Sequence, residues 1–415
     1  MAASIYKRSA IDEIIRFIPT DDIVVIHGAR QVGKTSILMY LQDHLLHTEK
    51  EQVLYIDLED SRFVSMMDKG VDEFITYLSE QGFDLPGLIK SGKKLFVMID
   101  EIQYLSNPSS FLKLLVDHHH YLKIIVSGSS SFEMKSKFKD SLVGRTVSFE
   151  IYPLSFQEFL LFKDIPFAPA SRFTEKKTIE LQTLYKEFVL FGGYPKIVLT
   201  LETNVKEKYL QQIIDTYIRK DIRDLAEIKD VSKFNRLLET LASQSGNLLN
   251  ISELSNTCGL ARDTIERYLF LLEQTYILRL VRPFSRNIRS ELFKTPKIFF
   301  YDTGLMQMLW LKHLQKEILG PVFETSVFAE LVKRNGPDQI LYWRTQDKKE
   351  IDFVVKLPDT LLPMETKLHF PRAIPAVLKT FVTAYPSTSN LVPGYRLVGL
   401  EGKPVDQGMI FPWQL

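Results

Sequence analysis

Apolar and polar positions alternate in blocks along the chain. Short aliphatic runs, Ile23-Val24-Val25-Ile26, Val53-Leu54-Tyr55-Ile56, Leu95-Phe96-Val97-Met98-Ile99 and Ile124-Ile125-Val126, read as buried strands. Helix-like segments separate them, so the pattern predicts a parallel sheet in a three-layer α/β domain. From Lys233 the period changes: Phe234, Leu237, Leu238 and Leu241 recur at helical spacing, and a polar stretch from Ser243 to Asn250 contains Gly246. Next come a short helix from Ile251, a turn at Cys258-Gly259-Leu260 and a second helix from Ala261 to Leu272. That second helix turns Ile265, Leu269 and Leu272 inward and Arg262, Asp263, Glu266 and Arg267 outward. With a strand from Tyr276 to Val281 behind it, the layout predicts a winged helix. Further on, Phe323 to Val332 reads as a helix, and Gln339–Trp343, Glu350–Lys356 and Leu362–Leu368 as strands.

Composition narrows the reading. A chain of 415 residues needs more than one core. Charged residues at 25% and hydrophobic ones at 45% exclude wholesale disorder and fibrous structure. With 52 basic against 51 acidic residues the net charge is +1, so a polyanion would have to be held by local patches. A single cysteine, Cys258, excludes an intrachain disulfide framework and a multi-cysteine zinc site. The start Met-Ala-Ala-Ser has no secretory character, and no apolar run reaches the roughly 18 residues of a bilayer span. The expectation is a soluble cytoplasmic protein with no membrane partner.

The first strand runs into Gly28-Ala29-Arg30-Gln31-Val32-Gly33-Lys34-Thr35-Ser36 and then an amphipathic helix. This is a P-loop in its required context: the glycines let the backbone amides curl towards phosphates, Lys34 reaches the β and γ oxygens, and Thr35 ligates Mg²⁺. The third strand ends in Asp100-Glu101, a Walker B signature. Asp100 would hold the Mg²⁺ water shell, and Glu101 would polarise the water that attacks the γ-phosphate. The expected cofactors are therefore ATP and Mg²⁺. Ser127 and Ser129, closing the next strand, are candidates to sense the γ-phosphate, and Arg145 is a candidate to stabilise its charge from a neighbouring subunit of a homo-oligomer or an adjoining domain. His118-His119-His120 is not read as a metal site, because consecutive helical side chains diverge by about 100°.

These residues resemble a family of bacterial and archaeal ATPases that joins an AAA-like (AAA+) N-terminal domain to a C-terminal domain of unknown function. The resemblance is carried by Gly28 to Ser36, Val97 to Gln103, Ser127-Gly128-Ser129-Ser130, Leu142 to Arg145 and Tyr152 to Phe159. Phe191-Gly192-Gly193-Tyr194-Pro195, Phe300 to Leu305 and Tyr342-Trp343-Arg344 extend it over nearly the whole chain. It implies that Gly193 and Pro195 belong to a helical lid near the nucleotide.

The C-terminal part suggests a second chemistry. Glu365 and Lys367 alternate onto one face of a strand, Asp352 lies on the strand before it, and Glu324 lies on the preceding helix. Asp352, Glu365 and Glu324 would share a divalent ion while Lys367 orients a water. The constellation resembles the PD-(D/E)XK nuclease core, and the family resemblance implies a related fold. Two departures stand: Asp352 is preceded by Ile351 and not by a proline, and Thr366 occupies a position that is usually apolar. A charged strand face would explain the same residues without cleavage.

The expected architecture is an AAA-like P-loop ATPase domain with its lid over 1–205, a winged helix over 206–290, and a smaller α/β restriction-endonuclease-like domain over 291–415. The expected partner is nucleic acid, DNA before RNA. A basic segment, Arg279, Arg282, Arg286, Arg289, Lys294 and Lys297 with Phe284 and Phe293 interleaved, is the candidate surface. The alternative is a signalling ATPase whose nucleotide state switches a protein-binding surface, for which the mixed charges of the second helix speak.

Overall fold

The computed structural model describes residues 5–128, 142, 144–216, 218, 228, 230–285, 295–345, 347–386 and 394–415. They divide into two compact units, Met1–Tyr152 and Pro153–Leu415.

In the first unit five parallel strands, β1 (Ile23–Gly28), β2 (Gln52–Asp57), β3 (Leu95–Asp100), β4 (Leu122–Gly128) and β5 (Thr146–Ile151), stand in the order β2-β3-β4-β1-β5. β1, β3 and β4 are buried at every position, which is why they read as unbroken apolar runs without alternation. Helix Lys34–Asp43 buries Ile37, Leu38 and Leu41, and helix Pro108–His118 buries Phe111, Leu112 and Leu115. The order matters for chemistry. β4 lies between the strand that feeds the P-loop and the strand that ends in Asp100, so the end of β4 reaches both.

In the second unit helix Val231–Ser243 is followed by helices Ile251–Cys258 and Arg262–Gln274 and by an antiparallel pair, β6 (Leu278–Val281) and β7 (Lys297–Phe300). Leu248, between the first two helices, bridges to Lys297 and adds a third short strand segment to the pair. Asn250 caps the second helix by accepting from Glu253 N, and Gly259 ends it at φ 64°, where a Cβ would be strained. A mixed sheet follows, β8 (Ile340–Arg344), β9 (Glu350–Leu357), β10 (Thr360–His369), β11 (Arg396–Glu401) and β12 (Met409–Ile410), in the order β12-β11-β10-β9-β8. Helix Gly320–Asn335 precedes β8 and packs on β7 to β10, and helix Ala376–Ala384 links β10 to its parallel neighbour β11.

The sequence pattern extends the ATPase domain to residue 205, whereas the unit boundary falls between Tyr152 and Pro153. The reason is aromatic packing that periodicity alone does not reveal. Phe156, Tyr185 and Phe188 from helices Phe156–Phe162 and Glu175–Phe191 pack with each other, and Tyr185 also meets Phe323 and Trp413 from the C-terminal part. Lys333 adds a hydrogen bond to Leu154 O at 2.8 Å, and Glu330 accepts from Phe156 N at 3.0 Å.

Candidate functional site

The P-loop leaves β1 at Gly28, whose φ is 157° and where a Cβ would stand 2.1 Å from Ile151 O. Only glycine fits this approach. Gln31 at φ 62° and Gly33 at φ 97° complete the curl into helix Lys34–Asp43. Ala29 and Val32 are buried, Arg30 half-buried, and Gln31 and Ser36 exposed. Lys34 folds back on the loop, donating to Gly28 O at 3.2 Å and Ala29 O at 2.8 Å. Burial pushes its ammonium down to about 8, against the opposing pull of Glu101 and Asp100. One support was absent from the sequence reading: buried Arg8 donates to Val32 O at 2.5 Å and to Tyr152 O at 2.9 Å, tying the loop to the chain beyond β5.

Asp100 is where these elements meet. Its Oδ2 accepts from Thr35 Oγ1 at 2.6 Å and from Tyr55 OH at 2.9 Å, and its Oδ1 accepts from Ser127 Oγ. Thr35 and Asp100 thus already face each other, a hard-oxygen pair whose chemistry would suit Mg²⁺. Tyr55 also went unnoticed in the sequence. It lies on β2 beside β3, and burial with the Asp100 charge holds its phenol well above the usual range. Glu101 takes the left-handed conformation at φ 56°. Its N–H donates to Ser127 Oγ at 3.3 Å, and its carboxylate accepts from the Gln103 amide. Ser127 is therefore the serine shown at this junction; Ser129 lies outside the described residues.

Arg145 stands elsewhere. Strand register pairs Thr146 with Ile23 and Ile151 with Gly28, so Arg145 flanks the start of β1 while the P-loop follows its end. Five residues at about 3.3 Å each put it roughly 17 Å away along the sheet. Its guanidinium pairs with Asp117 at 2.8 Å. This placement sets it at the opposite end of the sheet from the P-loop of its own unit. Gly193 and Pro195 have partners of their own in the second unit: Gly193 N donates to Asp302 Oδ2 at 2.7 Å, and Pro195 opens the helix Pro195–Leu199. Asp302 also caps Thr303–Leu311 through Leu305 N at 2.8 Å, so the two late motifs lock to each other. His118 is the last residue of its helix, and beyond it half-buried His119 meets Tyr121 OH through Nδ1 at 2.9 Å.

The C-terminal carboxylates lie where β9 and β10 part. Their pairing runs to Met364 opposite Phe353. Beyond it Asp352 Oδ2 accepts from Thr366 N at 2.8 Å and Thr366 Oγ1 at 2.9 Å, so the side chain replaces a ladder bond and the unexpected threonine orients the aspartate. Glu365 is buried, and its Oε2 accepts from Lys367 Nζ at 2.9 Å. Burial and the Asp352 charge push Glu365 up to about 7, with Lys367 opposing. Asp352 and Glu365 are hard-oxygen donors of the number Mg²⁺ takes from protein, with waters and phosphate oxygens completing its shell. Glu324, expected as a third ligand, is engaged differently: the Lys297 ammonium lies 3.6 Å from its Oε1, and burial with the Asp352 charge pushes it up to about 8. Among the described residues no three His, Cys, Asp or Glu side chains converge closely enough to hold a metal ion. The basic surface is likewise thinner than its sequence. Lys297 is buried, Arg279 pairs with Asp338 and lies 3.9 Å from Glu273, and Arg286, Arg289 and Lys294 lie outside the described residues.

Comparison with known proteins agrees with this geometry at the N-terminal end. Residues 20–160 match the AAA domain. The strand order, the P-loop and the Asp100-Glu101 strand end all lie within that span. Beyond the AAA domain, residues 182–316 and 319–413 match two domains of unknown function, DUF8612 and DUF4143. An uncharacterized protein of Haemophilus influenzae is 29% identical over 376 residues, covering 89% of this chain and 88% of its own. One of Methanocaldococcus jannaschii is 28% identical over 348 residues, covering 82% and 73%. Among solved structures, AMPPCP-bound DnaA from Aquifex aeolicus is similar at 15% identity and a TM-score of 0.29, over 66% of this chain and 89% of that one. Cdc6p from Pyrobaculum aerophilum is similar at 13% identity and a TM-score of 0.33, over 76% and 98%. Among the described residues no helix is long and apolar enough to cross a membrane.

Proposed function

We propose that the chain binds and hydrolyses ATP in its AAA domain and acts on nucleic acid, DNA before RNA, through its second unit. The observation that carries the first part is the convergence of Thr35, Ser127 and Tyr55 on Asp100, with Glu101 beside it and Lys34 on the loop opposite. Lys34 and the loop amides would hold the phosphates, and Thr35 and Asp100 would hold Mg²⁺, whose charge would offset that of the phosphates. Glu101 accepts the proton of the attacking water, and Ser127 fixes its backbone. With Arg145 remote from its own loop, a neighbouring subunit of a homo-oligomer is the copy it would serve.

Three features support the nucleic-acid reading. Three helices, a bridging segment and the antiparallel pair β6 and β7 follow the order of a winged helix. Helix Gly320–Asn335, β8 to β10, helix Ala376–Ala384 and β11 resemble a PD-(D/E)XK nuclease core. Asp352, Glu365 and Lys367 sit where its strands part, with the ammonium placed to orient a water against a phosphodiester. The test is ATP hydrolysis by the full chain with a panel of DNA and RNA shapes, and gel analysis of the same molecules. Lys34→Ala should abolish turnover, and Asp352→Ala or Lys367→Ala should abolish Mg²⁺-dependent nicking. Unchanged turnover in Lys34→Ala overturns the nucleotide site. The exposed Arg262, Asp263, Glu266 and Arg267 favour a second reading, a protein-binding switch. Absence of salt-sensitive nucleic-acid binding would select it.

A further inference from the structure

A second lysine enters the carboxylate cluster from outside the strands that carry it. Lys297 opens β7, is only 3% exposed, and places its ammonium 2.6 Å from Glu350 Oε1 and 3.6 Å from Glu324 Oε1. Both acids are otherwise confined. Glu350 Oε2 is held by Arg344 at 3.0 Å, and Gly246 covers Glu324 so closely that a Cβ there would be 3.1 Å from Oε2. Glu324 Oε1 is buried with no hydrogen-bond partner, so the nearby ammonium is the charge that balances it. Asp352, held by Thr366 on β10, bears electrostatically on Lys297, Glu324, Glu365 and Lys367 alike.

We propose that Lys297 is a resident cation of this cluster, filling by charge the place of a second divalent ion and withdrawing Glu324 from ligation. What remains for metal is one ion, held by Asp352 and Glu365 beside Lys367. A buried acid cluster needs compensating cations, and an ammonium supplied by the chain is permanent where a metal is exchangeable. The one-ion part rests on the nuclease-like reading above; the pairing of Lys297 with Glu324 does not.

The experiment uses the full chain without nucleotide. Thermal melts in chelator, on the parent, Lys297→Met, Glu324→Gln and the double variant, read the pairing. Lys297→Met should lower Tm on the order of 5 °C, and adding Glu324→Gln should recover part of that loss, because the stranded carboxylate is gone. Additive losses overturn the pairing. If Lys297→Met does not fold, Lys297→Arg, which keeps the charge, should melt near the parent, and a fall as large as that expected for methionine overturns it equally. Mn²⁺ titration followed by electron paramagnetic resonance reads ligation. The parent should bind one ion that Asp352→Asn removes and Glu324→Gln leaves, and Lys297→Met should admit a second. Loss of the ion in Glu324→Gln overturns the withdrawal of Glu324. A parent with no Asp352-dependent ion overturns the one-ion part and the nuclease-like reading, while the melts still decide the pairing.

Discussion

Replacing Arg8 by Met should cripple nucleotide binding without touching a group that faces the nucleotide. The guanidinium donates to Val32 O in the P-loop and to Tyr152 O beyond β5, and methionine fills similar volume with no donor. Each stranded buried carbonyl costs about 1–3 kcal/mol, so the total is roughly 2–6 kcal/mol before relaxation. Part of it will be shed by letting the loop move away, since Tyr152 directly follows the end of β5 whereas Val32 lies four residues past the end of β1. If about 1.4–2.8 kcal/mol falls on the loop's ability to present its amides, affinity drops ten- to a hundredfold. Titration with a fluorescent ATP analogue and Mg²⁺ reads Kd, and melts with and without nucleotide separate loop damage from global loss. Arg8→Lys, which restores one donor, should lie between. A folded Arg8→Met chain that binds Mg-ATP within about twofold of the parent refutes the argument.

Further predictions follow from placement and charge. Because Arg145 lies at the far end of the sheet from the P-loop, Arg145→Ala should leave Mg-ATP affinity of the monomer within about twofold; a tenfold loss there would contradict the register. Lys34 sits near 8 when folded, below its ordinary 10.5, so above pH 8 the nucleotide-free protein loses the ammonium that the phosphates require. Binding above that pH must therefore take up a proton, which calorimetry in buffers of different ionisation enthalpy measures between pH 8 and 9. The sign for stability is the same: the unfolded chain binds more protons at Lys34 between about 8 and 10.5, so this group's cost falls as pH rises through that window.

What the sequence showed directly were features that are contiguous. The P-loop and Asp100-Glu101 each lie on one segment whose flanks declare strand and helix, so their chemistry was legible before any fold. Tyr55, Ser127 and Asp100 meet only because β2, β3 and β4 are neighbours in a particular register, and nothing local in Val53 to Asp57 marks the tyrosine as a partner. Arg8 was invisible for the same reason, being 24 residues from the carbonyl it holds. The helices Phe156–Phe162 and Glu175–Phe191 bury their aromatic faces against Phe323 and Trp413, more than a hundred residues on, which no local pattern announces. Lys297 shows the converse. Its basic neighbours suggested a surface, whereas β7 is buried at all four of its positions and holds it inside against Glu324 and Glu350. Thr366 looked like a departure from an apolar position and turns out to orient Asp352.

The central claim is that Asp100, Thr35 and Lys34 hold a magnesium triphosphate while Glu101 activates the water. Glu101→Gln separates the two halves, since the amide keeps the shape and loses the base. Parallel measurement of Mg-ATP affinity and turnover in the parent and this variant should show unchanged binding and a turnover lower by about a hundredfold or more. A parent that binds no Mg-ATP, or a variant that hydrolyses it at the parental rate, would contradict the account.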